Sequence, residues 1–255
     1  MAIREMFELT DRVAAVTGGA RGIGRAGAEA FAEMGADIAL IDLNAENLAR
    51  AKAEIVAATA RRVETFVCDV TDEAAVVATF AAIEAAFGKT DVLFNSAGIV
   101  IWENAETMSA EQWDKVVNCD LKGTFLCCRE AGKRMIAQGK GSIVNVASMS
   151  GHIVNTPQNQ CSYNAAKAAV IQLTRSLATE WAQHGVRVNS FSPGYTATEM
   201  TMTVPEYHPG WNALVPMKRM GEPAELMGAL VYLASDASSY TTGHDMVIDG
   251  GYCCW

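Results

Sequence analysis

The chain has 255 residues, of which 50% are hydrophobic and 19% charged, so it is long enough to bury a large core and too apolar to be disordered. Its formal net charge is −9, and its lysines and arginines are scattered among acidic neighbours. This distribution argues against nucleic acid or an anionic membrane surface as a partner.

No composition break or flexible linker divides the chain, which predicts one domain over residues 1–255. No apolar run reaches the ~18 residues that span a bilayer, and the charged first residues lack the apolar core of a signal peptide. The seven cysteines are odd in number and form no Cys-x-x-Cys motif, so neither a disulfide framework nor a metal site is expected. These features favour the cytoplasm.

Short apolar runs alternate along the chain with longer segments of helical composition. The runs predict seven strands, at residues 12–18, 37–42, 63–69, 91–98, 142–148, 186–194 and 246–251. The segments between them predict helices at residues 23–34, 45–58, 73–87, 110–135, 163–183 and 223–234. Repeated strand–helix units with strands that are apolar along most of their length indicate an α/β fold, a doubly wound seven-stranded parallel sheet.

Ligands of such sheets bind at the carboxyl ends of the strands, so the residues just after each strand are the functional candidates. Residues 195–222 follow no clear period. Because a connection of this length in a compact domain commonly covers a binding site, we expect this segment to form a substrate lid.

The first candidate is a glycine-rich turn, TGGARGIG, at residues 17–24 between the first strand and the first helix. Glycines at a helix N-terminus let backbone N–H groups face a pyrophosphate without side chains in the way. The candidate dinucleotide-binding residues here are Gly18, Arg21, Gly22, Ile23 and Gly24.

The second strand ends in Asp42, whose carboxylate can accept hydrogen bonds from both adenosine ribose hydroxyls and would repel a 2′-phosphate. Arg21 in the glycine-rich turn could instead pair with such a phosphate. We weight Asp42 more heavily, because like-charge repulsion in a partly buried site is hard to relieve. The sequence therefore predicts NAD as cofactor in preference to NADP.

Two further strand ends carry small or short polar residues. Asp69 and Val70 follow the third strand, where they can contact an adenine edge. Small residues at the end of the fourth strand let a cofactor lie close, and the candidates there are Asn95, Ala97 and Gly98.

The chemical candidates follow the fifth strand. Ser148 closes that strand, and Tyr163 and Lys167 begin the next helix four residues apart, which places the phenol and the ammonium on one helical face.

These motifs, with TGGARGIG, NSAG, YNAAK, Pro193-Gly194 and the C-terminal IDGG, resemble those of the short-chain dehydrogenase/reductase family over essentially the whole chain. The resemblance implies a Rossmann fold, a nicotinamide cofactor and a homotetramer or dimer. It assigns catalysis to Ser148, Tyr163 and Lys167, with Lys167 also anchoring the nicotinamide ribose. It places Pro193, Gly194, Thr196 and Thr198 beside the nicotinamide carboxamide.

Within the family, the segments ASMSGHIVNTPQ and SFSPGY are similar to those of dehydrogenases and reductases of mannitol, arabinitol, galactitol, sorbitol and sorbose. A polyol needs several fixed hydrogen-bonding partners, because a hydroxyl buried without one costs roughly 1–3 kcal/mol. The candidate substrate-binding residues are Ser96, Trp102, His152, Asn155, Gln158 and Asn159.

Proton transfer near neutrality requires the pKa of Tyr163 to fall to about 7, from about 10 for a free phenol. An ammonium ~4 Å away in an effective dielectric of ~20 contributes roughly 4 kcal/mol, which is enough. We therefore expect Lys167 to lower the pKa of Tyr163.

One position departs from the family pattern. The family places an Asn seven residues beyond a Trp, and counting from Trp113 gives Asp120, whereas Asn118 lies on another face. An ionised Asp120 near Lys167 would keep the lysine protonated and partly cancel its field at Tyr163, whereas a protonated Asp120 could still donate a hydrogen bond. The sequence leaves both states open. We include Asp120 among the catalytic candidates.

The leading hypothesis is an NAD-dependent polyol dehydrogenase or ketose reductase. One alternative is an NADPH-dependent 3-oxoacyl-thioester or general carbonyl reductase, against which Asp42 and the acidic charge balance argue. Another is an inactive NAD-binding regulator, for which Asp120 is the sole indication. Apolar residues in excess of one core-facing stripe on helices 110–135 and 163–183 predict a second buried face, and the resemblance implies that this face belongs to a homotetramer.

Overall fold

All seven predicted strands are present in a computed structural model that describes residues 2–255. The strands are β1 (Val13–Thr17), β2 (Asp37–Asp42), β3 (Val63–Val67), β4 (Val92–Asn95), β5 (Gly141–Val146), β6 (Val186–Pro193) and β7 (Asp245–Ile248). They pair in one parallel sheet, in the order β3-β2-β1-β4-β5-β6-β7. The strand order reverses between β1 and β4, so the predicted doubly wound α/β fold is confirmed.

Helices cover both faces of the sheet. The α-helices are α1 (Gly22–Glu33), α2 (Ala45–Thr59), α3 (Glu73–Phe87), α4 (Ala110–Val117), α5 (Thr124–Gln138), α6 (Cys161–Trp181), α7 (Glu199–Met202), α8 (His208–Leu214) and α9 (Pro223–Ala234). Helices α1, α2 and α9 pack on one face, and α3, α5 and α6 pack on the other. Within residues 2–255, no helix combines the length and the apolar character needed to cross a bilayer.

The two faces explain why the strands are apolar throughout. Successive β1 residues point to opposite sides, so Val16 packs into the core under α1 while Ala15 packs into the core under α5. Both are fully buried. The sheet therefore has no solvent-exposed face at its centre, and ligands reach it only at its edges.

The predicted helix 110–135 is interrupted. Ser109 and Gln112 form a capping box that starts α4, but a six-residue π-helical turn, Asn118–Gly123, separates α4 from α5. Such wide turns are rare and occur mostly at functional sites. This one carries Asp120 into the protein interior.

The predicted lid has structure of its own. Residues 195–222 contain α7 and α8, joined by the short 3₁₀ turn Pro205–Tyr207. Its base is tied to the sheet, because Tyr195 stacks on Trp211 with ring centroids 4.1 Å apart and contacts Tyr252.

Candidate active site

The glycine-rich turn lies close to the end of β4. Gly18 has a positive φ of 62°, and a Cβ built on it would lie 2.9 Å from backbone atoms of Ala97. A Cβ on Gly24 would lie 2.2 Å from the carbonyl oxygen of Gly18. Only glycine fits both positions, so the turn presents backbone rather than side chains at the start of α1.

A cavity of about 450 Å³ opens beside this turn, at the carboxyl edge of the sheet. Many predicted site residues line it, namely Gly18, Arg21, Gly22, Ile23, Asp42, Asp69, Val70, Ser96, Ala97, Gly98, Trp102, Asp120, Tyr163, Lys167 and Thr198. Other residues that line the cavity were not predicted, namely Ile41, Leu43, Cys68, Ile99, Val100, Cys119, Val146, Glu199, Met200 and Thr203. Most of the missed residues are apolar, and only the pairing of the strands identifies them as part of a wall.

A larger cavity, of about 1090 Å³, lies at the opposite ends of the strands, where the strands begin. Most of its charged side chains are paired, Arg12 and Lys140 with Asp236 and Lys89 with Asp91, while Arg187 donates to backbone carbonyl oxygens. It contains neither the glycine-rich turn nor Tyr163. The chemistry therefore belongs to the smaller cavity.

Asp42 is held in a defined orientation. Its Oδ2 accepts the backbone N–H of Ala20 at 3.2 Å, and its Oδ1 accepts that of Asn44 at the same distance. Arg21 lines the same cavity, is exposed, and makes no ion pair within residues 2–255. The carboxylate thus has a fixed place at the end of β2, and the guanidinium stays free to move.

Several predicted cofactor contacts lie elsewhere. Asn95 is buried between strands and donates from Nδ2 to Oδ1 of Asn145 at 2.9 Å, so its side chain holds the sheet together. Gly24 packs inside the turn. Beyond β6, Gly194 approaches the backbone of Asp249, and Thr196 donates to the Gly194 carbonyl at 3.1 Å. Gly24, Asn95, Pro193, Gly194 and Thr196 do not line the cavity.

The Tyr–Lys pair lies on the wall of the cavity. Nζ of Lys167 donates to the carbonyl oxygen of Val146 at 3.0 Å and lies 5.3 Å from the centre of the Tyr163 ring. Ser148 follows two residues after Val146, and its hydroxyl accepts the N–H of Ser150 at 3.1 Å. The end of β5 and the first turn of α6 therefore bring the serine, the phenol and the ammonium together.

The electrostatics of Tyr163 differ from the expectation. Burial raises the pKa of the phenol above its ordinary value, although Lys167 and the Ser148 hydroxyl both act to lower it. Asp120 adds to the increase. Lys167 acts in the predicted direction, but the expected net decrease of the Tyr163 pKa is not found in the chain by itself, because the prediction left out the cost of burying the phenolate. In the chain by itself, Tyr163 is a protonated phenol at neutral pH.

Asp120 contacts Lys167 directly. Its Oδ2 atom lies 3.2 Å from Nζ, in an ionic contact without the alignment of a hydrogen bond, and Oδ1 accepts the N–H of Ile99 at 2.9 Å. Burial raises the pKa of Asp120, whereas the cation and the N–H act to lower it. Burial acts to lower the pKa of Lys167, but the carboxylate outweighs it and the pKa is raised. With a cation on one oxygen and a donor on the other, the two groups form a buried ion pair.

Four of the predicted substrate-binding residues form hydrogen bonds with other side chains of the same chain instead. Nε2 of His152 lies 2.7 Å from Asp245, on the edge strand β7, and the exposed Asn159 donates to Asn104 at 2.7 Å. Asn155 and Gln158 are buried, and both donate to the Tyr195 hydroxyl, at 3.3 and 3.0 Å. None of the four lines the cavity. These partners lie 37 to 93 positions away in sequence, so no local pattern could reveal them.

Gln160 is a further residue near the site that was not predicted. Its Oε1 accepts the indole N–H of Trp102 at 3.1 Å, and its Nε2 lies 3.3 Å from the Ser150 hydroxyl. Ser150 in turn contacts the Ser148 hydroxyl at 3.1 Å. The buried Gln160 side chain thus connects the cavity wall at Trp102 with the loop that carries Ser148.

This chain is similar to known proteins in both sequence and structure. A family model described as enoyl-(acyl carrier protein) reductase matches residues 18–253. The solved structure of a short-chain type dehydrogenase/reductase from Mycobacterium marinum superposes with a TM-score of 0.98 at 40% identity, covering all of both chains. The chain belongs to the short-chain dehydrogenase/reductase family.

Named relatives in this family include two that are similar over their full or nearly full length. The probable NADP-dependent mannitol dehydrogenase of Yarrowia lipolytica is 49% identical, over 99% of this chain and 91% of its own. The galactitol 2-dehydrogenase (L-tagatose-forming) of Cereibacter sphaeroides is 46% identical over the whole of both chains.

A short-chain dehydrogenase/reductase uses a nicotinamide cofactor, and the described cavity fits one. The glycine-rich turn provides a floor without side chains at a helix N-terminus, where a pyrophosphate binds. Asp42 lies at the neighbouring strand end, where a ribose is bound in such folds. The Tyr–Lys pair lies on the wall of the same cavity.

Proposed function

We propose that the chain interconverts a polyol and its ketose with NAD(H), transferring a hydride at a secondary carbinol carbon. The observation that carries this proposal is that Tyr163 and Lys167 share one cavity with the glycine-rich turn and Asp42. The substrate class is taken from the two relatives named above, whose names refer to mannitol and galactitol.

Each part of the cavity has a role in holding the cofactor. Backbone N–H groups between Gly18 and Gly24 would bind the pyrophosphate, and Asp42 the adenosine ribose. Asp69 and Val70 would contact the adenine, and Lys167 the nicotinamide ribose. When bound, the nicotinamide ring supplies the hydride acceptor or donor.

The chain's own residues handle the proton. In ketone reduction, the protonated Tyr163 donates its hydroxyl proton to the carbonyl oxygen, and the Ser148 hydroxyl donates a hydrogen bond to the same oxygen. In alcohol oxidation, the Tyr163 phenolate accepts the hydroxyl proton of the substrate. Lys167 stabilises that phenolate through its charge, and Tyr163, Ser148 and Lys167 are the catalytic residues.

NAD is proposed over NADP because the Asp42 carboxylate is fixed by two backbone N–H groups and cannot move away from a 2′-phosphate. The Yarrowia relative is named as NADP-dependent, which makes the free Arg21 guanidinium the competing determinant. The relative strength of these two side chains decides the cofactor preference.

Polyol recognition has fewer candidates than the sequence suggested. Ser96 and Trp102 line the cavity, and Thr203 on the lid adds a hydroxyl. Asn155 and Gln158 act at a distance, by holding the lid and the Ser148 loop in place. We further propose that residues 195–222 close over bound substrate, that the active form is a homotetramer, and that the protein works in the cytoplasm.

An acyl-thioester reductase is the competing function, since the matching family model carries the description of an acyl carrier protein reductase. An acidic carrier would have to approach a chain with a net charge of −9. The deciding experiment measures kcat/KM for C4–C6 polyols, their ketoses and acyl thioesters with both nicotinamide cofactors, by nicotinamide absorbance. We expect a polyol–ketose pair with NAD(H) to give the highest value, and a thioester substrate with NADPH would refute the proposal.

A further inference from the structure

Lys167 is fixed by two elements as well as by its own helix. Its ammonium contacts the Val146 carbonyl at the end of β5 and the Asp120 carboxylate on the π-helical turn. Asp120 is fully buried and is itself anchored by the N–H of Ile99, just beyond β4. The Asp120 carboxylate therefore links Lys167 to the end of β4.

The contacts of Asp120 require a carboxylate. A carboxylate offers two acceptor oxygens, whereas an amide offers one acceptor and one donor. An Asn at position 120 would have to point its NH₂ group either at the Lys167 ammonium or at the N–H of Ile99. Either arrangement loses one of the two contacts.

The backbone around the ion pair also accommodates it. A Cβ built on Gly98 would lie 3.0 Å from Oδ2 of Asp120 and 3.4 Å from Nζ of Lys167, so a side chain at this position would press on the ion pair. On the other side, the wide turn that carries Asp120 is stabilised by the Thr124 hydroxyl, which donates to the Asp120 carbonyl at 2.7 Å.

Few charges face the Tyr163 phenol. From its own helix comes Lys167, and from the π-helical turn comes Asp120. Cys119, beside Asp120, is neutral, because burial raises the pKa of its thiol to about 12. Asp69, beyond β3, acts on the pKa of Cys119 and not on that of the phenol. Asp120 is therefore the anion that opposes the field of Lys167 at Tyr163.

We propose that Asp120 is a positioning residue that holds Lys167 and, through its negative charge, moves alcohol oxidation by this chain toward alkaline pH. The inference rests on the proposed function, in which the phenolate of Tyr163 accepts the proton of the alcohol. A carboxylate beside the ammonium cancels part of its field, so the phenol keeps its proton to higher pH. At neutral pH this balance favours proton donation, the step needed for ketone reduction.

The test is the pH profile of kcat/KM for polyol oxidation in wild type and Asp120→Asn. The exposed Asp114 of α4 gives the matched control, Asp114→Asn, which removes the same charge outside the cavity. Removing the buried carboxylate should move the rising limb to lower pH by on the order of one unit. Below both midpoints, oxidation relative to its own plateau then increases about tenfold. The falling limb of ketone reduction should move in the same direction.

A purely structural role gives a different result. It would lower kcat/KM at every pH and leave the midpoint where it is, and that outcome in a folded Asp120→Asn protein overturns the proposal. Asp120→Ser, smaller and neutral, gives the same comparison if the Asn variant does not fold.

Tyr163→Phe separates this inference from the proposed function. If that variant keeps its turnover, the assignment of Tyr163 fails and the function must be revised. If Tyr163→Phe is inactive and the Asp120→Asn midpoint is unmoved, only the role of Asp120 is refuted.

Discussion

The Oδ2 atom of Asp42 accepts a hydrogen bond from the backbone N–H of Ala20 at 3.2 Å, which ties the end of β2 to the glycine-rich turn. The Asp42 carboxylate is therefore held against the turn that precedes α1. A phosphate that enters at this point meets a fixed negative charge.

Replacing Asp42 by Ala should reduce the preference for NAD(H) over NADP(H), because it removes the repulsion of a 2′-phosphate. The measurement is kcat/KM with each cofactor at a fixed substrate concentration. Arg21→Ala is the paired variant, and it should weaken only the NADP(H) reaction. Equal or better efficiency of the wild type with NADP(H) would mean that Arg21 dominates.

Tyr163→Phe should lower kcat by at least the ~10²-fold that general acid–base catalysis contributes, since it removes the titrating oxygen and keeps the ring. Cofactor binding, measured by fluorescence titration, should stay within about threefold. Tyr232→Phe is the control, because the Tyr232 hydroxyl forms a hydrogen bond with Thr241, on the side of the sheet that α9 covers. Unchanged turnover in Tyr163→Phe would contradict the mechanism.

Gln158→Ala should destabilise the protein by about 1–3 kcal/mol, because it leaves the buried indole N–H of Trp211 without its acceptor. Urea unfolding measures the difference. Asn159→Ala, at the neighbouring exposed position, should stay within about 0.5 kcal/mol of wild type. If Gln158 instead contacts substrate, kcat/KM for polyols will fall selectively while stability stays constant.

The ion pairs of Asp236 should make part of the stability pH-dependent. Burial acts to raise the pKa of Asp236, but Lys140 and Arg12 outweigh it, and the pKa lies below its ordinary value of 3.8. Stability from this carboxylate is therefore present above pH 3.8 and is lost as the pH falls through the folded-state pKa. Asp236→Asn should cost about 1 kcal/mol at pH 7, and the difference from wild type should shrink toward pH 3. A difference that is constant with pH would contradict this role.

Assembly is tested by mass. Trp113 on α4 and Phe125 on α5 are large apolar side chains, and each is 39% exposed in the single chain. Light scattering at micromolar concentration should give four times the 27.2 kDa of one chain. Phe125→Glu should shift the mass toward smaller species, and a wild-type mass of one chain would refute the homotetramer.

The elements with strong periodicity could be predicted from sequence, and so could the strand ends that form the cavity. The spacing of Tyr163 and Lys167 was sufficient to place them on one face, because both lie within two turns of α6. Composition and spacing could not reveal the partners of buried polar groups. His152 binds Asp245, 93 positions away, because β7 pairs with β6 beside the Ser148 loop.

The lowered pKa predicted for Tyr163 failed for a related reason. Pairwise charge arithmetic from sequence includes the ammonium of Lys167, but the loss of hydration depends on how completely neighbouring elements surround the phenol. The break in helix 110–135 was equally hidden, since the residues of Asn118–Gly123 are compatible with an ordinary helix and only packing selects the wider turn.

Because of that wider turn, the position of the Asp120 side chain depends on how many residues the turn contains rather than on which residues they are. Each α-helical residue advances the side-chain direction by about 100° around the axis, so deleting a single residue from Asn118–Gly123 would restore ordinary helical winding. The carboxylate would then rotate out of contact with Lys167, while α5 could keep its register against the sheet. An insertion or deletion at this point could therefore change the pH optimum of a related enzyme without altering any residue that touches substrate.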